Sequence, residues 1–170
     1  MGLFDVFTGT KRPASGTTPQ PQHEVHNALL ALNRPDAPFL VRDGSPENVD
    51  LVCEWRILDP EWYAYFEAVG LSRTYQISMR FNAAKNQVRA VDTTWTVRWA
   101  AGIPALAPTK EVNRGQVTKK ETVLTFEKDE NGKRRLTKEN TFSSSDLKDP
   151  LRNTVTGLGW TWRGVSTGKL

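Results

Sequence analysis

Tyr75-Gln76-Ile77-Ser78-Met79-Arg80-Phe81, a loop from Asn82 to Asn86, and then Val88-Arg89-Ala90-Val91-Asp92-Thr93-Thr94-Trp95-Thr96-Val97-Arg98-Trp99 make the stretch on which the fold turns. Apolar residues at every second position from Tyr75 to Phe81 describe a strand with one buried face. In the second segment the apolar positions change parity, from Val88 and Ala90 to Val91, Trp95, Val97 and Trp99. A parity change inside one strand predicts a β-bulge or sharp bend near Ala90 and Val91, and so a curved sheet.

Upstream, Phe39 to Arg42 reads as a short strand ended by the Asp43-Gly44 turn signal. Val49, Leu51, Cys53, Trp55 and Ile57 alternate with Asp50, Val52, Glu54 and Arg56, a second half-buried strand. Cys53 falls on its buried side and reads as a small core hydrophobe. Before them, Val25, Leu29 and Leu32 recur at helical spacing, predicting a helix over about 23–32. Asp59-Pro60 is a helix start, with Asp as cap and Pro where its missing N–H costs nothing. Trp62, Tyr65, Phe66 and Val69 then share one face, and Gly70 stops the helix.

Downstream, Pro104 and Pro108 bracket a loop from Gly102 to Pro108. Residues 118–127 and 134–142 form a charged hairpin about the Asp129-Glu130-Asn131-Gly132 turn. Asp149-Pro150 repeats the helix start, with Leu151, Val155 and Leu158 as its stripe, and a last strand carries Trp160 and Trp162 on one face. These elements predict an α+β domain: a curved, mainly antiparallel sheet of about six to seven strands with two or three short helices. The alternative is a β-barrel around the C-terminal helix. Residues 1–22 read as a flexible N-terminal tail or linker and 23–170 as the single domain, since residues 8–22 are almost wholly Thr, Gly, Pro, Ser and Gln.

The strings Phe39-Leu40-Val41-Arg42-Asp43-Gly44, Val49 to Ile57 and Gly159-Trp160-Thr161-Trp162-Arg163-Gly164-Val165 resemble a family of uncharacterised bacterial proteins, best represented in actinobacteria. In that family a similar Glu-Trp-Arg segment and a Gly-Trp-Thr-Trp-Arg-Gly ending flank a strand-rich middle. The resemblance spans about residues 25–170, implies no activity and carries over no functional residue.

Composition narrows the function classes. The 170 residues are 38% hydrophobic, enough for a core without metal or disulfide support. One cysteine makes no internal disulfide, and no apolar run reaches the ~20 residues of a membrane span, so the expectation is a soluble, cytoplasmic protein. Met1-Gly2 opens like a myristoylation signal, but Val6 stands where that motif wants Ser or Thr. His23 and His26 share a helix face without a third ligand, so no metal site is expected, and no cofactor-binding motif occurs. No nucleophile elbow or phosphate loop exists either, and the reading leans against an enzyme.

Three functions stay open. The leading one is a non-catalytic protein-interaction module that meets an unknown protein partner through Leu3, Phe4 and Phe7 and the aromatic strand ends. The second is a small-molecule or lipid-binding domain with a cavity walled by Trp62, Phe66, Trp95, Trp99, Trp160 and Trp162. Asp92, an acid inside a strand, is its polar anchor, paired with Arg56, Arg80 or Arg98 unless it simply faces solvent. Glu54 is the other carboxylate left without an assigned role. The third is a weak anionic-polymer or nucleic-acid binder through Lys119, Lys120, Lys133, Arg134, Arg135 and Lys138. That basic excess, nine Lys/Arg against six Asp/Glu over residues 110–140, is interleaved with acids and weaker than a dedicated nucleic-acid face.

Overall fold

One long hairpin organises the sheet. The structure is a computed structural model. It describes residues 9–108, 120–165 and 170, with the backbone alone for 120–127 and 134–143. Strands β3 (Arg73–Asn82) and β4 (Gln87–Ala100) pair antiparallel from Arg73↔Thr96 to Asn82↔Gln87. A single turn over Ala83–Lys85 joins them, capped by the Asn82 side chain, which accepts from the Lys85 N–H at 3.2 Å. On the far side of β3 lie β2 (Leu51–Trp55) and then β1 (Phe39–Asp43).

The other edge of β4 is shared. β8 (Thr161–Gly164) pairs parallel to residues 87–90, and β5 (Ile103–Pro108) pairs antiparallel to residues 95–100. β6 (Lys120–Lys128) and β7 (Arg134–Ser143) form a separate two-stranded sheet with an irregularity between Thr125 and Phe126. Helices α1 (Gln22–Leu30), α2 (Tyr63–Ala68) and α3 (Ser144–Gly157) complete an α+β fold with an open, mainly antiparallel sheet. The sheet does not close into a barrel.

Register assigns the two faces. Leu51↔Met79↔Ala90 and Cys53↔Ile77↔Asp92 lie on the inner face, and α3 packs over it against β2 and β3 with α1 alongside. Val25 and Leu29 of α1 and Leu147, Leu151 and Val155 of α3 join that core, all fully buried. Cys53 sits there as expected, and burial pushes its thiol pKa up, far from a reactive thiolate.

The bulge expected near Ala90 and Val91 is not formed, because the β3–β4 pairing runs through without a register shift. The parity change has another cause. Val88 and Ala90 face the helices, whereas Val91, Trp95 and Val97 have the opposite parity and face the other side of an unbulged strand. The outer face is itself partly covered: Val52, Thr74 and Val97 are 0%, 4% and 4% exposed. Thus β2 buries residues on both faces, not one.

Three further expectations change. The predicted loop over Gly102–Pro108 is strand β5, turned back by Ala101 and Gly102, both at positive φ (51° and 77°), as a tight two-residue hairpin requires. Its prolines are tolerated because, among the described residues, only one side of β5 is paired. Helix α3 starts at Ser144, not at Asp149-Pro150, and holds Pro150 within it. Leu147 and Lys148 extend the buried stripe one turn back, so packing outweighs the local start signal. In α2 and at its C-cap, Phe66 and Val69 are buried but Tyr65 is 43% exposed, so the aromatic face is narrower than the spacing suggested.

The Pro-, Ser- and Thr-rich segment ahead of α1 follows a hydrogen-bonded path. Lys11 exchanges two backbone hydrogen bonds of 2.8 Å with Trp162, alongside β8. The Gln20 N–H donates to the Leu158 carbonyl at 2.9 Å, and the Trp160 indole N–H donates to the Gln20 carbonyl at 2.7 Å. A Cβ at Gly159 would stand 2.6 Å from the Thr18 carbonyl oxygen, so glycine is needed where this segment crosses.

Candidate functional site

The aromatic residues proposed as one cavity wall divide into separate groups. Trp62 and Phe66 sit beside Trp55, with Phe66 ring centroids 6.1 Å from Trp62 and 6.5 Å from Trp55. Trp160 meets Phe81 edge-on at 5.9 Å, and Trp162 stands beside Val88 in the parallel pair. Trp95 is opposite Thr74. From the Thr74 row to Phe81 is seven residues of strand, about 24 Å, so no single cavity gathers them. Trp160 and Trp162 are 1% and 0% exposed and belong to the core. Trp99 is half-buried and ties β4 to the end of α2 through its indole N–H, 2.8 Å from the Leu71 carbonyl.

Asp92 is an interior acid, but its partner is none of the three arginines proposed. It lies on the inner face and pairs with Lys148 of α3; the two side chains are 16% and 6% exposed. Asp92 Oδ1 has no hydrogen-bond partner among the described residues. The pair joins helix to sheet beneath the surface.

Leu3, Phe4, Phe7 and Lys119 lie outside the described residues. Lys133 is exposed at the β6–β7 turn, where the Asp129 carboxylate accepts from the Asn131 and Lys133 N–H groups at 2.9 Å. The register sets Arg134 across from Lys128, Arg135 across from Glu127, Lys138 across from Thr125 and Lys120 across from Ser143. Basic residues thus face one another at Lys128 and Arg134 by the turn, and face acidic or neutral residues at the other three positions. Among the described residues no three His, Cys, Asp or Glu side chains converge as metal ligands, and no helix is long and apolar enough to cross a membrane.

A concavity does exist, on the outer face of the sheet. It encloses about 310 Å³. Its polar side is built by the β1–β2 turn. Asp43 Oδ1 accepts from the Ser45 N–H at 2.9 Å, which folds Ser45-Pro46-Glu47 into one helical turn and carries Glu47 over Arg42. Gly44 makes this possible, since a Cβ there would stand 2.6 Å from the Val49 side chain. Leu40↔Glu54↔Gln76 then sets Glu54 one row from Arg42 on the same face.

Arg42 spends all five of its N–H donors in this cluster. Nε donates to Glu54 Oε1 at 2.9 Å and Nη2 to Glu54 Oε2 at 3.2 Å. Nη1 donates to Glu47 Oε2 at 3.0 Å and to the Asp43 carbonyl at 3.1 Å, and Nη2 reaches Glu47 Oε1. Gln76 Nε2 adds a bond to Glu54 Oε2 at 2.9 Å. The two carboxylates raise the Arg42 pKa further above its ordinary value, and Arg42 in turn holds the Glu47 carboxyl below its own. One guanidinium against two carboxylates leaves a net charge of −1.

The other side is apolar, formed by Trp95, Ile57, Leu58 and Leu106, with Leu58 57% exposed at the rim. Thr74 lines the cavity between them. It is 4% exposed, and its hydroxyl has no hydrogen-bond partner among the described residues. Of the residues singled out from sequence for ligand binding, only Trp95 lines this cavity. Glu54 had been noticed as a carboxylate without a role. Arg42, Glu47, Thr74 and Gln76 were missed because cross-strand register and the turn over Ser45–Glu47 bring them together.

No protein-family model matches the chain, and neither a curated protein nor a solved structure matches it.

Proposed function

We propose that the chain is a non-catalytic small-molecule-binding domain whose site is the outer-face cavity over Thr74 and Trp95. The observation that carries this reading is the Thr74 hydroxyl. A buried hydroxyl without a partner costs about 1–3 kcal/mol, and here it belongs to a residue that lines a concavity with one apolar wall and one polar wall. That is the composition of a ligand site, with an apolar body for affinity and a few placed polar groups for orientation. A turn of the Thr74 side chain about its Cα–Cβ bond lets a bound donor or acceptor recover the lost hydrogen bond.

The partner-docking reading loses one of its supports, since Trp160 and Trp162 are core and offer no surface anchor. Its other support, Leu3, Phe4 and Phe7, lies outside the described residues. The cavity reading is tested by a ligand-observed NMR screen of small aromatic and aliphatic fragments. Hits should lose binding in Trp95→Ala while far-UV circular dichroism stays unchanged. A library yielding no hit that depends on Trp95 counts decisively against the site.

A further inference from the structure

The geometry points to a cationic ligand: a small primary or secondary ammonium carried on an aromatic or aliphatic body. This deepens the reading of the cavity as a binding site and rests on it. Three features converge. The only cation lining the cavity among the described residues, Arg42, has all five N–H donors committed to Glu47, Glu54 and the Asp43 carbonyl. A carboxylate or phosphate entering here would therefore have to displace an existing ion pair. The cluster instead keeps one uncompensated negative charge on carboxylates that are only 30% and 25% exposed, where solvent screening is reduced.

The second feature is the Thr74 hydroxyl, nine-tenths buried and more, which can accept an N–H. Thr74 and Gln76 are two residues apart on one face of β3, about 7 Å, and Glu54 is directly across from Gln76. One ammonium placed between them reaches the Glu54 carboxylate, and a turn of the Thr74 side chain brings its hydroxyl oxygen to the same ammonium. The third is Trp95, directly across from Thr74, whose indole face attracts a cation within about 6 Å. The apolar body then runs along Trp95 toward Leu106 and Leu58.

The test uses three probes of similar shape, phenethylamine, 2-phenylethanol and 3-phenylpropanoate, titrated into the full chain at low and moderate salt. Binding is read on the Trp95 indole N–H resonance, assigned by its loss in Trp95→Phe. The inference expects phenethylamine to bind at least tenfold more tightly than 3-phenylpropanoate. Its advantage over 2-phenylethanol should shrink with salt and in Glu47→Gln, a rim substitution that leaves Glu54 in place. Glu54→Gln supplies the same measurement should the first variant prove poorly folded. If 2-phenylethanol shifts Trp95 but the amine binds no better than the carboxylate, the cationic assignment is overturned and the cavity reading survives. If none of the three probes moves the Trp95 resonance, both are overturned.

Discussion

Lys148→Met isolates what the buried ion pair contributes. Lys148 lies on the buried stripe of α3 between Leu147 and Leu151, and its ammonium meets Asp92 on the inner face of β4. Removing the lysine strands a carboxylate that is only 16% exposed beneath a helix. Breaking a buried pair in this way costs about 3–5 kcal/mol, and the residual exposure of Asp92 places the expected loss near the lower end, about 3 kcal/mol. For a domain of this size that lowers Tm by about 6–12 °C, at about 2–4 °C per kcal/mol. Asp92 Oδ1 already lacks a hydrogen-bond partner among the described residues, so the pair does not fully offset its own desolvation. Replacing both residues, as Asp92→Leu with Lys148→Met, should therefore return stability to within about 1 kcal/mol of the parent. Urea unfolding followed by tryptophan fluorescence, run as a double-mutant cycle, gives all the numbers needed. Two outcomes refute the reasoning: a Lys148→Met variant as stable as the parent, or a double variant whose loss equals the sum of the two single losses.

Other perturbations probe the remaining contacts. Gly159→Ala places a Cβ 2.6 Å from the Thr18 carbonyl oxygen and forces φ of +79° on alanine, so it should cost about 1–3 kcal/mol. Limited proteolysis should then cut within residues 9–22 sooner than in the parent. The Asn33 side chain donates to the Val41 carbonyl and accepts the Val41 N–H, both at 2.7 Å, so it fills the free edge of β1. Asn33→Ala should lose about 1–3 kcal/mol and expose a strand edge, read as a lower urea midpoint and as self-association by size-exclusion chromatography. Because Arg42 holds the folded-state Glu47 pKa below its ordinary 4.5, Glu47 stabilises the fold above that pH and progressively less as pH falls through the folded value. Glu47→Gln should accordingly be less stable at neutral pH and show a flatter stability profile below about pH 4.5, checked by urea midpoints across the acid range.

Sequence periodicity by itself determined the class of this fold. Period-two alternation over Tyr75–Phe81 and Val49–Ile57, Asp43-Gly44 and Asp129 to Gly132 as turns, and the helical spacing of Val25 and Leu29 are local signals, and each element formed where they stood. The burial of three of the six tryptophans was legible in the same way, since Trp55, Trp160 and Trp162 fell on apolar faces, whereas Trp95 and Trp99, read at the same inward parity, are only half-buried. Local signals failed where a distant partner decided. Asp149-Pro150 is a good helix start, yet Leu147 and Lys148 had an inner face to cover, and α3 began earlier. Pro104 and Pro108 argue against a strand, yet β4 offered an unpaired edge to residues 103–108. The cavity lay further still from the reach of a linear reading. Arg42, Glu54, Thr74 and Trp95 are spread over 1, 2, 3 and 4 in strand order, and only the antiparallel registers, together with the turn that lifts Glu47, put them on one face. Alternation tells which side of its own strand a residue occupies. It takes hydrogen-bonded pairing across strands to say what stands next to it, and that pairing is a property of the whole chain.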